Sequence, residues 1–308
     1  MHKSFLVLLV LLFISLSINL FLWFFYPQKE KLYFETELAV IEELPILRAA
    51  AAPALQLELT AAAAYAVDLT SMTVLYEKNP DQVLYPASTS KIMTALVAID
   101  QFKLDQELLV ATEAASVIGT KLPFLSGQQV LVSDLLAALL IFSANDSAYI
   151  LANNYPGGYN AFIVKMNQKA QQMGLSQTSF VNPAGLDEPG QQSTARELNL
   201  LARELLEHDF LKDLVATPYK QIANPEQGWS FDLYNTNQLL GQIWGVRGVK
   251  TGTTELAGEV LITLVERGGK QILISLLASQ NRYLDTSRLL AWIFNNYEWQ
   301  NLSASEYN

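Results

Sequence analysis

The 308-residue chain is 51% hydrophobic and 16% charged, with a formal charge of −10 and a pI near 4.8. Such a chain buries one large core or two modest ones, and with no basic stripe or Lys/Arg cluster, no nucleic acid partner is expected. The absence of cysteine removes disulfides, thiolate metal sites and cysteine nucleophiles, and two histidines, His2 and His208, cannot build a histidine-rich zinc or iron site.

Residues 4–26, SFLVLLVLLFISLSINLFLWFFY, carry no charge. At ~1.5 Å per residue a helix of this length reaches ~34 Å, enough to cross a hydrocarbon core of ~30 Å. The bulky LWFFYPQKEK holds no small-x-small cleavage site. Residues 1–27 therefore read as an uncleaved single-pass transmembrane anchor, with Trp23 and Tyr26 in the interfacial belt and the bulk of the protein outside the cytoplasm. Residues 28–58, with the Ala/Pro patch LRAAAAPAL, read as a linker. One domain is expected over 59–300, followed by a short tail, 301–308.

AAAAYAVDL and TVLYEKN read as two strands joined by a turn at Thr70–Met72. A helix follows over about 88–101, and LVSDLLAALLIF is apolar at helical spacing. GYNAFIVKMNQKAQQMGL is an amphipathic helix stopped by Gly174. STARELNLLARELLEHDF is another, with Ser193 or Thr194 as N-cap. GEVLITLVERGGKQILISLLAS reads as a hairpin turning at RGGK, and DTSRLLAWIFNNY as a helix packing across the sheet. This order implies an α/β (α+β) fold. Its sheet takes strands from both ends of the domain, with a helical cluster inserted between them.

Three short motifs lie on these elements. Ser88-Thr89-Ser90-Lys91 is the only S-x-x-K in the chain, and on a helix its two ends share a face. Ser88 would sit in the first turn, where unpaired N–H groups favour developing negative charge. Alone, the pair reads more simply as a capped helix with a solvated lysine. Ser143-Ala144-Asn145 is S-x-N at the end of an apolar helix. Ser17-Ile18-Asn19 and Ser279-Gln280-Asn281 also match, but only Ser143/Asn145 lies between the other two motifs. Lys250-Thr251-Gly252 opens GVKTGTTELAG on a strand, which puts Lys250 and Gly252 on one face. Its glycine permits close approach of another backbone. A Ser-His-Asp triad would have to use His208, on an amphipathic helix, so the base of a hydrolase here is not expected to be histidine.

In the order S-x-x-K, S-x-N, K-T-G, the set resembles that of the low-molecular-mass penicillin-binding proteins, specifically the D-alanyl-D-alanine carboxypeptidases of the serine-type S11 peptidases. YPASTSKIMTALVA, SANDSAYILA, MGLSQTSFVNPAGLDEPGQQSTARELNLLARELL and GVKTGTTELAGEVLI extend the resemblance over about 60–298. It implies a β-lactamase/transpeptidase-like fold, a peptidoglycan stem peptide ending in D-Ala-D-Ala as substrate, β-lactams as covalent inhibitors, and no cofactor. Ser88 would be the nucleophile, Lys91 its base, and Ser143 the proton relay to the leaving amine. Asn145 would hold Lys91 and the substrate amide. Lys250, with the hydroxyls of Thr251 and Thr253, would receive the terminal carboxylate, beside Gly252. The backbone N–H groups of Ser88 and Thr253 would form the oxyanion hole, and Asn182, Pro183 and Gly185 would shape a loop.

The resemblance has departures. Arg247 stands where relatives often carry Asp or Asn, and the C-terminal β-rich domain and anchor helix of many relatives have no counterpart in this sequence. A β-lactamase would show S-D-N, where Ala144 occupies the middle position. A DD-endopeptidase would use the same residues, and a membrane-anchored penicillin-binding sensor would acylate with poor turnover.

Overall fold

The computed structural model describes residues 43–47 and 57–301. The expected anchor, residues 4–26, lies outside them. Among the described residues no helix is long and apolar enough to cross a membrane.

Five antiparallel strands form the main sheet: β2 (Ala63–Asp68), β3 (Val74–Lys78), β8 (Val246–Thr254), β9 (Gly258–Arg267) and β10 (Lys270–Ser279), in the order β3-β2-β10-β9-β8. Strands from the two ends of the domain meet at the β2–β10 pair, where Ile274 faces Ala66. The sheet is covered on both faces, so its central strands read as continuous apolar runs. Side chains alternate between two cores. Ala63, Tyr65, Val67, Leu273 and Leu277 face the helical cluster. Ala64, Ala66, Ile272, Ile274 and Leu276 face α8 (Arg282–Asn296).

The helical cluster is built around α1 (Lys91–Gln101), which follows a 3₁₀ turn at Ala87–Ser90. Every residue of α1 from Lys91 to Ala98 is buried. A helix apolar all round belongs in an interior, and KIMTALVA carries its single lysine inside with it. Around it stand α3 (Val132–Ala137) with a π turn at Ala138–Phe142, then α4 (Asn145–Asn153), α5 (Gly158–Gln172) and α6 (Ala195–Leu206). Gly174, with φ +74°, follows the end of α5. Thr194 is the N-cap of α6, its Oγ1 accepting from Glu197 N–H at 3.1 Å. Ser193 instead shares a 2.7 Å bond with Thr178 Oγ1.

Several expectations are corrected. The run STARELNLLARELLEHDF is not one helix: α6 ends at Leu206, and α7 (Asp209–Ala216) starts after a break containing His208. Residues 43–47, expected in the linker, form β1 and pair with β11 (Tyr297–Asn301). β4 (Glu107–Leu109) pairs with β5 (Gln129–Leu131), and β6 (Tyr219–Asn224) with β7 (Trp229–Tyr234). Such short strands, of three to six residues, carry too little alternation to stand out in a sequence.

The N-terminal entry to the sheet is locked by Asp285 on α8. Its carboxylate accepts from Thr60 N–H (3.0 Å), Thr60 Oγ1 (2.7 Å), Ala61 N–H (2.8 Å) and Ser279 Oγ (2.7 Å). Burial pushes its pKa up, but the hydrogen bonds from Ser279, Thr60 and Ala61 outweigh this and hold it below the ordinary value. A depressed folded-state pKa gives stability that is present above the unfolded value of ~3.9 and lost as pH falls through the folded one. Asp285→Ala, which strands the buried Ala61 N–H and Ser279 hydroxyl and the part-buried Thr60 N–H, is expected to lower unfolding free energy by about 3 kcal/mol at pH 7. Urea denaturation should show the gap to the parent narrowing below about pH 4.

Candidate active site

The start of α1 sets the first two groups. Lys91 Nζ lies 2.8 Å from Ser88 Oγ and donates at 2.7 Å to the carbonyl of Ala184, with no exposed surface of its own. Ala87, just before the serine, has φ +49°, an uncommon conformation for a residue with a Cβ. The 182–186 loop that supplies the carbonyl is organised by Asn182, whose Oδ1 accepts from the N–H groups of Ala184, Gly185 and Leu186. Thr94, one turn along α1, donates to Pro183 O at 2.6 Å. The loop residues of the sequence reading therefore reach the lysine through Ala184.

β8 brings the third motif to the same turn. A Cβ built on Gly252 would stand 2.8 Å from Ala87 Cβ and 2.9 Å from Ser88 N, so only glycine lets the strand pass this close. Lys250, on the same strand face, is 1% exposed. Its Nζ donates to Thr251 O at 3.1 Å. Burial drives the pKa of Lys91 well below the ordinary lysine value; the charge of Lys250 lowers it further, and Asp146 opposes the shift. Lys250 is lowered to about 7, by burial and then by the charge of Arg282. Ser143 closes the π turn with φ +66°, directly before α4. Asn145 opens α4 and is 5% exposed.

A family model described as D-alanyl-D-alanine carboxypeptidase, peptidase S11, matches residues 48–281. The chain belongs to the S11 D-alanyl-D-alanine carboxypeptidase family. It is 32% identical over 233 residues to the D-alanyl-D-alanine carboxypeptidase DacF of Bacillus subtilis, covering 73% of this chain and 60% of that protein. It is 34% identical over 245 residues to the D-alanyl-D-alanine endopeptidase of Pseudomonas aeruginosa, covering 78% and 79%. The fold is that of the Streptomyces K15 DD-transpeptidase structure, with TM-score 0.74 and 28% identity over 80% of this chain and all of that one.

Within this S11 fold, other residues surround the motifs. Thr251 Oγ1 and Thr236 Oγ1 are 2.6 Å apart. Thr253 Oγ1 accepts from Arg282 Nη1 at 2.6 Å, and the same nitrogen donates to Gly252 O at 2.7 Å. The reading from sequence missed Arg282: it lies 29 residues beyond Thr253, at the first position of α8, with no motif to mark it. It missed Asp146 too, a buried carboxyl raised to about 7 by burial, against hydrogen bonds from Ser147 and Leu122. Asn145 uses its side-chain amide to donate to Ile118 O at 2.7 Å. Arg247 is exposed and pairs with Glu266 at 3.2 Å.

Gly252→Ala would wedge β8 away from Ser88. It is expected to slow acylation of Ser88 by a fluorescent penicillin about 10²-fold, measured as a second-order rate constant, with the sheet still formed by circular dichroism.

Proposed function

We propose that the protein is a serine-type D-Ala-D-Ala carboxypeptidase that removes the terminal D-alanine from peptidoglycan stem peptides through an acyl-enzyme on Ser88. The observation that carries this reading is the 2.8 Å contact between a fully buried Lys91 amine and the Ser88 hydroxyl, beside the glycine of K-T-G. A lysine whose pKa is driven well down is uncharged for part of the time and can take a proton.

Ser88 Oγ attacks the carbonyl carbon of the penultimate D-alanine as its proton passes to Lys91 Nζ. The oxyanion meets the backbone N–H groups of Ser88 and Thr253, preorganised donors of a kind worth ~10²–10³ in rate. The C–N bond breaks, and the proton travels from Lys91 through Ser143 to the departing amine. Water, deprotonated by the same lysine, then cleaves the ester and restores Ser88. Lys250, with Thr251 and Thr253, receives the terminal carboxylate, and Arg282 adds positive charge to that end. The substrate lies antiparallel to β8 as an added strand. A β-lactam acylates Ser88 by presenting the same dipeptide shape. The uncharged run at 4–26 tethers this domain on the outer side of the cell membrane.

A DD-endopeptidase is the second reading, because a relative of that name in P. aeruginosa is as similar to this chain, at 34% identity, as the B. subtilis carboxypeptidase at 32%. Release of free D-alanine from a D-Ala-D-Ala pentapeptide, against cleavage of cross-linked dimers, separates the two.

Ser88→Ala is expected to abolish both penicillin labelling and D-alanine release while leaving the fold intact; labelling that persists at another serine refutes the assignment. The pH profile should carry two lysines. Activity rises with pH as Lys91 loses its proton. For substrates with a free carboxylate, kcat/KM then falls above about pH 7 as Lys250 is discharged. Amidated substrates should lack that fall, and Lys250→Ala should hurt them less.

A further inference from the structure

Residues 118–122 are fastened to the start of α4 by three hydrogen bonds. Asn145 Nδ2 donates to Ile118 O (2.7 Å), Asn145 N–H to Thr120 O (2.7 Å), and Leu122 N–H to Asp146 Oδ2 (2.9 Å). The first of these decides which way the Asn145 amide faces. A carbonyl oxygen can only accept, so its partner must be the amide nitrogen. That leaves Asn145 Oδ1 and one N–H uncommitted to the strap. Gly119, between the two anchored carbonyls, has φ +84°, and a Cβ there would lie 2.7 Å from Asn145 Nδ2. The next residue along α4, Asp146, is fully buried and takes its second acceptor bond from Ser147 N–H at 2.9 Å. The strap therefore hangs from the two side chains that follow Ala144.

We propose that the Ile118–Leu122 strap is a positioning element for the reaction: the Ile118 carbonyl sets the rotation of the Asn145 amide, and Gly119 is the residue that makes room for it. Turned this way, the amide keeps its second N–H for the acyl-side carbonyl of the bound peptide and its oxygen for Lys91. The strap touches no substrate and acts through Asn145. This rests on the assignment of Ser88 as the acylated serine.

A second glycine in the same loop supplies the control. Gly127 has φ +90° but nothing within 4 Å of a built Cβ. An alanine there carries the same backbone penalty as at Gly119 without the collision. The probes are two β-lactams, benzylpenicillin, which carries an acyl-side amide carbonyl, and 6-aminopenicillanic acid, which has a free amine in its place. The second-order acylation rate of each is measured on the parent, Gly119→Ala and Gly127→Ala, with the thermal midpoint of each protein. Gly119→Ala should lose about tenfold with benzylpenicillin, the effect of one hydrogen bond, and far less with 6-aminopenicillanic acid. Gly127→Ala should keep the parent's ratio between the two, whatever its thermal midpoint.

Equal losses with both probes, or the same change of ratio in Gly127→Ala, would make the strap a structural loop only and overturn the proposal. Should Gly119→Ala fail to fold, Ile118→Pro and Thr120→Pro take its place. Neither Ile118 N nor Thr120 N is a donor in the three strap bonds, and the same loss of ratio is expected where the carbonyl at 118 moves. A parent protein that is not acylated at Ser88 by either probe would instead sink the assignment on which the proposal rests.

Discussion

The contact between Lys91 and Ser88 constrains everything else in the molecule. An ammonium group with no exposed surface is costly to keep charged, and burial of a lysine amine is relieved most simply by loss of its proton. The protein adds a second cation, Lys250, whose charge pushes in the same direction, and limits the opposing effect of Asp146 by keeping that carboxyl itself near neutrality in pKa. What remains for the amine is a hydroxyl at 2.8 Å and a carbonyl at 2.7 Å. An amine held in this way, when it loses its proton, is placed to serve as the base that the proposed acylation requires.

The fold provides the burial. α1 is the central helix of its cluster, and its first residue goes inside with the seven buried residues that follow. The sheet provides the other wall. Its edge strand β8 comes from the far end of the sequence and runs against the Ala87–Ser90 turn at Gly252, where a methyl group would already collide. The middle motif lies at the junction of the π turn and α4, where Ser143 takes a left-handed conformation and Asn145 engages residues 118–120. Arg282 binds the main chain of β8 from the opposite helix and makes Lys250 easier to discharge. Lys91 and Lys250 are therefore both held below the ordinary lysine value.

Much of this was legible in the sequence because the carriers are long and periodic. The hairpin of β9 and β10, the two-ended sheet and the helices α1, α5 and α8 follow from apolar runs and a turn at RGGK. The proposed site residues Ser88, Lys91, Ser143, Asn145, Lys250, Thr251, Gly252 and Thr253 stand out in the sequence only as three short motifs in one order. What escaped was long-range or local in a way that spacing does not encode. Arg282 acts through a bond to the backbone of a strand 30 residues earlier. The Ala184 carbonyl is a backbone group, whose identity as a partner depends on how Asn182 bends its loop. The break between α6 and α7 falls in an amphipathic run whose periodicity continues through it, and β1 finds its partner more than 250 residues away.

The proposed chemistry depends on the protonation state of one amine, which can be observed without turnover. A ¹³C-detected NMR titration of the lysine ε-carbons, with the Lys91 signal assigned by its disappearance in Lys91→Arg, reads it directly. The expected result is a Lys91 resonance that, with that of Lys250, titrates well below those of the remaining lysines. A Lys91 signal that titrates with the bulk, near the ordinary value of ~10.4, would contradict the proposed base.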